Sequence, residues 1–297
     1  MENMNENKNP LHQRKNKNLN DSIILFERLT WEQIDSLDRK KTLFFLPISP
    51  LEEHGPHLPV GTDLLTAKET SIAAIQTLKT HYPDHSFVLL PDIPIGFASF
   101  NKDFPGTVSI SSRTVQQVVY SYGCMLAQNG FSHLLICSYH MALGHLKGIY
   151  KAMRRLRRKY GLIVCEPWSP VFYSDIIKEQ EPRVDFDTST EVHGGFRETS
   201  LMIYTHPELV DEKYKQLPLV YNQKIMTASA VFNTFKKLGI TKGYIGTPSK
   251  ADVRYGKWFF NLTVNTYIEA AEKMIKKKTL PDLPRKMKRQ MMLLFWL

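Results

Sequence analysis

Between residues 48 and 63 the chain reads ISPLEEHGPHLPVGTD, placing Glu52, Glu53, His54, His57 and Asp63 close together among Gly55, Pro56, Pro59 and Gly61. Carboxylates and imidazoles at this density serve three purposes: holding a divalent cation, moving a proton, or meeting water at a surface. Residues 52 and 54 are two apart, so extended backbone projects both side chains to one side. Asp63 follows a turn enforced by the prolines and Gly61, from which its carboxylate can bridge two cations. His140, in SYHMALGH, follows another apolar run. Carboxylate and imidazole without thiolate suit Zn²⁺, Mn²⁺ or Fe²⁺ in a hydrolytic site with open positions for water. Each residue also has a plain structural use. His54 can be a hydrogen-bonded turn residue, Glu52 and Glu53 a solvated pair, and Asp63 a cap for the next helix. Spacing alone leaves both readings open.

A second group lies in TEVHGGFRETSLMIY, residues 190–204. His193 precedes two glycines at a helix start, where bare backbone N–H groups suit a developing oxyanion. Glu198, one turn further, is read as metal ligand, proton acceptor or ion-pair partner of Arg197. His57, among prolines, takes an orienting role. His81 and His85 have HxxxH spacing, but Pro83 breaks the helix that would align them, so both are read as loop residues.

The elements that position these groups alternate. Thr30 and Gln33 form a capping-box pattern before a helix over 30–37. Apolar runs at 42–49, 86–91, 133–138 and 162–167 have strand length. Between them helical patterns cover 63–80, 112–129 (stopped by Gly130) and 146–161. Apolar strands joined through helices imply a mostly parallel sheet covered on both faces, in one α/β domain. The segments bearing Glu52 to Asp63 and His140 follow strand C-terminal ends, where ligand crevices form in such sheets.

Composition narrows the class. At 297 residues, with 42% hydrophobic and 23% charged, the chain has the make-up of a globular protein. No apolar run is long enough to span a bilayer, and the polar N-terminus carries no secretory signal. The charge of +10 concentrates in the ends, leaving about +2 for the body between residues 21 and 271. That distribution argues against nucleic acid as a partner. LKGIYKAMRRLRRKYG (146–161) reads as an outer helix with a solvated basic face, and the basic, apolar C-terminus as a segment for a neighbouring subunit or an anionic membrane surface, the subunit preferred. Membrane contact is not expected. Cys124, Cys137 and Cys165 form no CxxC pair and read as buried, reduced thiols in a cytoplasmic protein.

The motifs as they stand resemble the creatininase (creatinine amidohydrolase) family. Glu52-Glu53-His54-Gly55, His57-Leu58-Pro59 and Gly61-Thr62-Asp63 resemble its strand-end signature. FPGTVSI (104–110), EVHGGFRETS (191–200) and GYIGTPSKADVRYGKWFF (243–260) resemble later segments in the same order. The resemblance implies a three-layer α/β/α fold with a mostly parallel central sheet, taken to span 23–278; the polar residues 1–22 read as a disordered leader and the basic, apolar residues 279–297 as a tail. It also implies a hexamer and a centre of two divalent metals that hydrolyses C–N bonds with a metal-bound water. Carried over, Glu52 and His140 bind one metal, His54 the other, Asp63 bridges, and His193 passes a proton to the leaving nitrogen.

The chain departs from that pattern at four places. Ala142 stands where creatininase has a second-metal glutamate, so Glu198 is the candidate replacement. Leu143 replaces an asparagine of many relatives, Ser189 a substrate-stacking tryptophan, and Asn101 a histidine. Creatinine is therefore not the expected substrate; a larger or more apolar small molecule is, next to Met141 and Leu143. The expected activity is a metal-dependent amidohydrolase on a cyclic or small amide. The alternatives are a non-catalytic binding or assembly subunit, or a hydrolase of a lactone or C–C bond.

Overall fold

A computed structural model describes residues 23–226 and 233–293; the leader expected at 1–22 lies outside them. Five strands, β1 (Ile24–Leu25), β2 (Thr42–Pro47), β3 (Ser86–Leu89), β4 (His133–Cys137) and β5 (Ile163–Cys165), form one sheet in the order β1-β3-β2-β4-β5. Every pairing is parallel, with Leu43 opposite both Phe87 and His133. The helices are α1 (Trp31–Asp35), α2 (Thr62–His81), α3 (Ser112–Gln128), α4 (Leu143–Tyr160), α5 (Trp168–Phe172), α6 (Ile176–Gln180), α7 (Phe196–Thr205), α8 (Val253–Ile275) and α9 (Arg285–Leu293).

Strand side chains alternate between the two sheet faces. Leu43, Phe45, Leu135 and Cys137 enter one core, closed by α2, α7 and α8. Phe44, Leu46, Leu134 and Ile136 enter the other, closed by α3 and α4. Continuous apolar runs such as TLFFLP are therefore required, since both faces are buried. The arrangement has three layers, as the resemblance implied. β1, two residues long, is too short to leave a pattern in the sequence.

Local signals match the elements. Thr30 Oγ1 accepts from Gln33 N while Gln33 Oε1 accepts from Thr30 N, closing the capping box. Gly161 ends α4 with φ +66°, a left-handed conformation that glycine adopts without a Cβ clash. On α4, Leu146, Ile149, Met153 and Leu156 are buried while Lys151, Arg154, Arg155 and Arg158 face solvent. Cys137 and Cys165 are buried and all three cysteines are free, but Cys124 is half-buried, with Sγ 3.1 Å from the Tyr160 hydroxyl.

β2 lies between β3 and β4, so the chain leaves it first to one side and later to the other. The crevice beyond the C-terminal ends of β2 and β4 is the switch point of the sheet. α7, which borders it, is seated against α8 almost backbone to backbone: a Cβ on Gly256 would fall 1.9 Å from the Ser200 carbonyl oxygen.

Part of the C-terminal segment packs on the chain itself. α9 lies on its own α4, where Leu283 and Met291 bury against Leu146. Of the apolar run that closes the chain, Met291 is used within the chain while Leu293 is 70% exposed; residues 294–297 lie outside the described residues. No helix among the described residues is long and apolar enough to cross a membrane.

Candidate metal centre

The loop after β2 is pinned before it reaches its chemistry. Glu52 N donates to the Val60 carbonyl at 2.9 Å, and Val108 N to the Leu51 carbonyl at 2.9 Å. Thr107 Oγ1 accepts from Glu53 N at 3.0 Å, so the FPGT segment braces the two glutamates. Gly55 makes the turn with φ +76°, where a Cβ would also press on Tyr244 at 3.1 Å.

Three segments meet here. Asp63, on the first turn of α2, presents Oδ1 to His54 Nε2 at 3.2 Å and Oδ2 to His140 Nδ1 at 2.9 Å. Glu52 Oε2 also lies 2.9 Å from His140 Nδ1. Glu198, from α7, brings Oε2 to 3.9 Å from His54 Nε2. Two triads result, Glu52 with Asp63 and His140, and His54 with Asp63 and Glu198; within each, donor atoms lie within 4.8 Å of one another. Glu52, His54 and His193 form a third such group. The expected residues are thus brought together, and Asp63 is shared.

Backbone carbonyls orient both rings. His54 Nδ1 donates to the Glu52 carbonyl at 2.8 Å, and His140 Nε2 to the Phe97 carbonyl at 2.9 Å. The remaining nitrogen of each ring is left facing the carboxylates, as ligating imidazoles require. Glu52, His54, Asp63 and His140 are all buried. Burial opposes charge on every one of them, yet their mutual attraction prevails. The Asp63 carboxylate raises His54 to about 10. Glu52 and Asp63 raise His140 far above the imidazole range. The same imidazoles hold Asp63 and Glu52 below the usual carboxylate range. A buried cluster this rich in anions stabilises positive charge, whether proton or metal. Glu52 Oε2, buried and met only by His140 Nδ1, has a lone pair to give. The donor set fits divalent cations of the Zn²⁺ or Mn²⁺ kind.

His193 stands at the rim, its ring centroid 4.3 Å from that of His54. Its backbone pairs with Ile245, and Gly194 beside it, at φ +56°, lies so close to the His54 carbonyl that a Cβ would sit at 2.9 Å. His193 Nε2 donates to the Glu53 carbonyl at 2.6 Å. The oxyanion reading of HGG is not supported: Gly194 N donates to Glu198 Oε2 at 2.5 Å and Phe196 N to Glu191 Oε2. Arg197 pairs with Glu181 at 3.0 Å, freeing Glu198 from the ion-pair role.

Other residues depart from their sequence readings. Glu53 is buried rather than solvated; Oε1 accepts from Asn101 Nδ2 at 2.9 Å and Oε2 from Gly55 N at 2.9 Å. Asn101, buried, donates from Nδ2 to the Glu53 carbonyl at 3.2 Å and lies 2.7 Å from His193 Nε2. His57 does orient a neighbour, with Nε2 2.8 Å from Thr199 Oγ1 on α7. His81 closes α2 and faces Glu272, and His85 pairs with Asp84 in the following loop. His145, on the first turn of α4 and fully buried 5.3 Å from the His140 ring, had no signal in the sequence beyond its place five residues after His140. Met141 and Leu143, half-buried, pack against the cluster of Leu146, Leu283 and Met291. Beside Glu53 a cleft of about 500 Å³ opens, lined by Leu58, Val60, Phe104, Leu217 and Lys242 among others.

Comparison with known proteins decides the lineage. The family profile described as Creatininase: Creatinine amidohydrolase matches residues 27–271.

The chain belongs to the creatininase family.

Creatinine amidohydrolase of Pseudomonas putida is 27% identical over 195 residues, covering 62% of this chain and 72% of that protein. Mycofactocin precursor peptide peptidase of Mycolicibacterium smegmatis is 26% identical over 230 residues, covering 75% and 81%. A solved structure described as Creatininase Mn superposes with a TM-score of 0.65 at 22% identity, over 85% of this chain and 99% of that one. Within the creatininase fold, Ala142 serves as N-cap of α4, its carbonyl accepting from His145 N and Leu146 N. Ser189 is exposed in a short 3-10 turn (Thr188–Thr190).

Proposed function

We propose that this chain is a metal-dependent hydrolase of an amide C–N bond. The observation that carries the reading is the sharing of Asp63 between two imidazoles from two strand ends, Oδ1 toward His54 and Oδ2 toward His140. One divalent ion, Zn²⁺, Mn²⁺ or Fe²⁺, is assigned to Glu52, Asp63 and His140, and a second to His54, Asp63 and Glu198, which takes the place left by Ala142. Such ions, when bound, polarise a carbonyl and lower the pKa of water toward ~7. The manganese of the solved creatininase agrees with this donor set.

The chain's own residues do the rest. The Glu52 and Phe97 carbonyls fix the tautomers of His54 and His140. His193, at the rim and carrying a proton at Nε2 toward the Glu53 carbonyl, delivers that proton to the leaving nitrogen. The Glu53 carbonyl holds its ring, and Asn101 holds Glu53 by donating to Oε1. The apolar wall of Leu58, Val60 and Phe104 takes up a substrate larger and less polar than creatinine, and excludes water from it. A peptidyl amide is the second reading, favoured by the likeness to the peptide peptidase over 230 residues.

The deciding experiment loads protein purified without chelator with Mn²⁺ or Zn²⁺ and offers it cyclic amides and short peptides. Binding at both positions with release of amine supports the proposal. Failure to bind either ion would leave a non-catalytic member of the family, and loss of a lactone without amide cleavage would move the activity to C–O bonds.

A further inference from the structure

His140 is held from within the site by Phe97, Glu52 and Asp63, but the loop it sits on is covered from elsewhere. The two side chains that follow it at Met141 and Leu143 are apolar and half-buried, and they pack into a small cluster with Tyr173, Leu283, Met287 and Met291. The Tyr173 hydroxyl donates to the Met141 carbonyl at 2.5 Å. Leu283 is 3% and Met291 6% exposed, so this contact is closed to water. It shares no buried member with the two large cores flanking the sheet, though Met141 also packs against one of them. The family match ends at residue 271, and α9 begins at Arg285, so the cover is an element outside that match.

We propose that Tyr173, Leu283, Met287 and Met291 are positioning residues for His140. By fixing the loop at Met141 and Leu143 they set where Nδ1 stands in the Glu52–Asp63–His140 triad. The proposal rests on the reading of His140 as a metal ligand. Its physical basis is geometric: His140 Nδ1 meets two carboxylate oxygens at 2.9 Å each, and a loop freed to move would spoil that convergence without touching either oxygen. Residues that orient a ligand from outside the coordination sphere govern affinity by about 10-fold to 100-fold.

The test uses the full chain with Met291→Asp and the conservative Met291→Leu, read by Mn²⁺ titration calorimetry and by amide hydrogen exchange. Met291→Asp is expected to weaken one of two Mn²⁺ affinities by about 10-fold to 100-fold, to spare the other, and to speed exchange across residues 139–145. Met291→Leu is expected to restore both readouts. Wild-type affinities with faster exchange confined to residues 281–293 would overturn the proposal. Should Met291→Asp fail to fold, Tyr173→Phe, which removes a single hydroxyl, is read the same way. If the wild type binds no Mn²⁺, the metal reading itself fails; the positioning claim is then judged by exchange, and protection of 139–145 in Met291→Asp overturns it.

Discussion

Asp63 Oδ2 lies 2.9 Å from His140 Nδ1 although 77 residues of chain separate them. The other oxygen of the same carboxylate reaches His54 at 3.2 Å, so one short side chain at the start of α2 serves both triads. Asp63→Ala should therefore empty both positions together. Elemental analysis after dialysis checks this, and full metal content in the variant would refute the bridging role.

Glu198 stands differently, since it belongs to one triad and not to the other. Glu198→Gln should lower occupancy at the His54 position and spare the Glu52 position. Titration with Mn²⁺ resolves the two. A variant that keeps both ions but loses turnover would make Glu198 a proton acceptor instead.

His193 borders the cluster through its ring contact with His54 and its hydrogen bond to the Glu53 carbonyl. His193→Ala should leave metal content intact and lower kcat by roughly 10²–10⁴, the range for a general acid. Loss of metal alongside activity would move His193 into the ligand set with Glu52 and His54.

Glu166 offers a test of burial rather than catalysis. It is fully buried after β5, where Oε1 accepts from Trp168 N at 3.0 Å and Ser169 N at 3.1 Å. Burial pushes its carboxyl up to about 7 from an ordinary 4.5. A raised folded-state pKa contributes stability that is complete below pH 4.5 and is lost as pH rises through about 7, roughly 3 kcal/mol in all. Glu166→Gln has no such titration, so its stability relative to wild type should improve by about that amount from pH 4.5 to about pH 8. Urea denaturation at the two pH values measures it; a constant difference between the proteins would contradict the assignment.

Much of the fold was legible because its signals are local. TLFFLP and HLLIC can only be strands buried on both faces, and the capping box at Thr30 and Gln33 is complete within four residues. Pro83 separates His85 from the helix that His81 closes. The site was legible in part, since Glu52 and His54 share a side by backbone alternation alone. Glu53 stayed open, because no local pattern tells a buried carboxylate from a solvated one; its partners Asn101 and Thr107 lie 48 and 54 residues away. The packing of Met141 and Leu143 left no signal for a similar reason, as the helix that covers them comes from the far end of the chain.

By itself, then, the amino-acid order determined which groups are present, which side of a strand or helix they leave from, and that strand ends carry them. Those properties follow from bond geometry and steric preference over a few residues. Only tertiary structure decided that Glu198 faces His54 rather than Arg197, that the Gly194 amide is already taken by Glu198, and that α9 covers the His140 loop. Such contacts depend on how two cores close over a shared sheet, and packing across that distance leaves no period in the sequence.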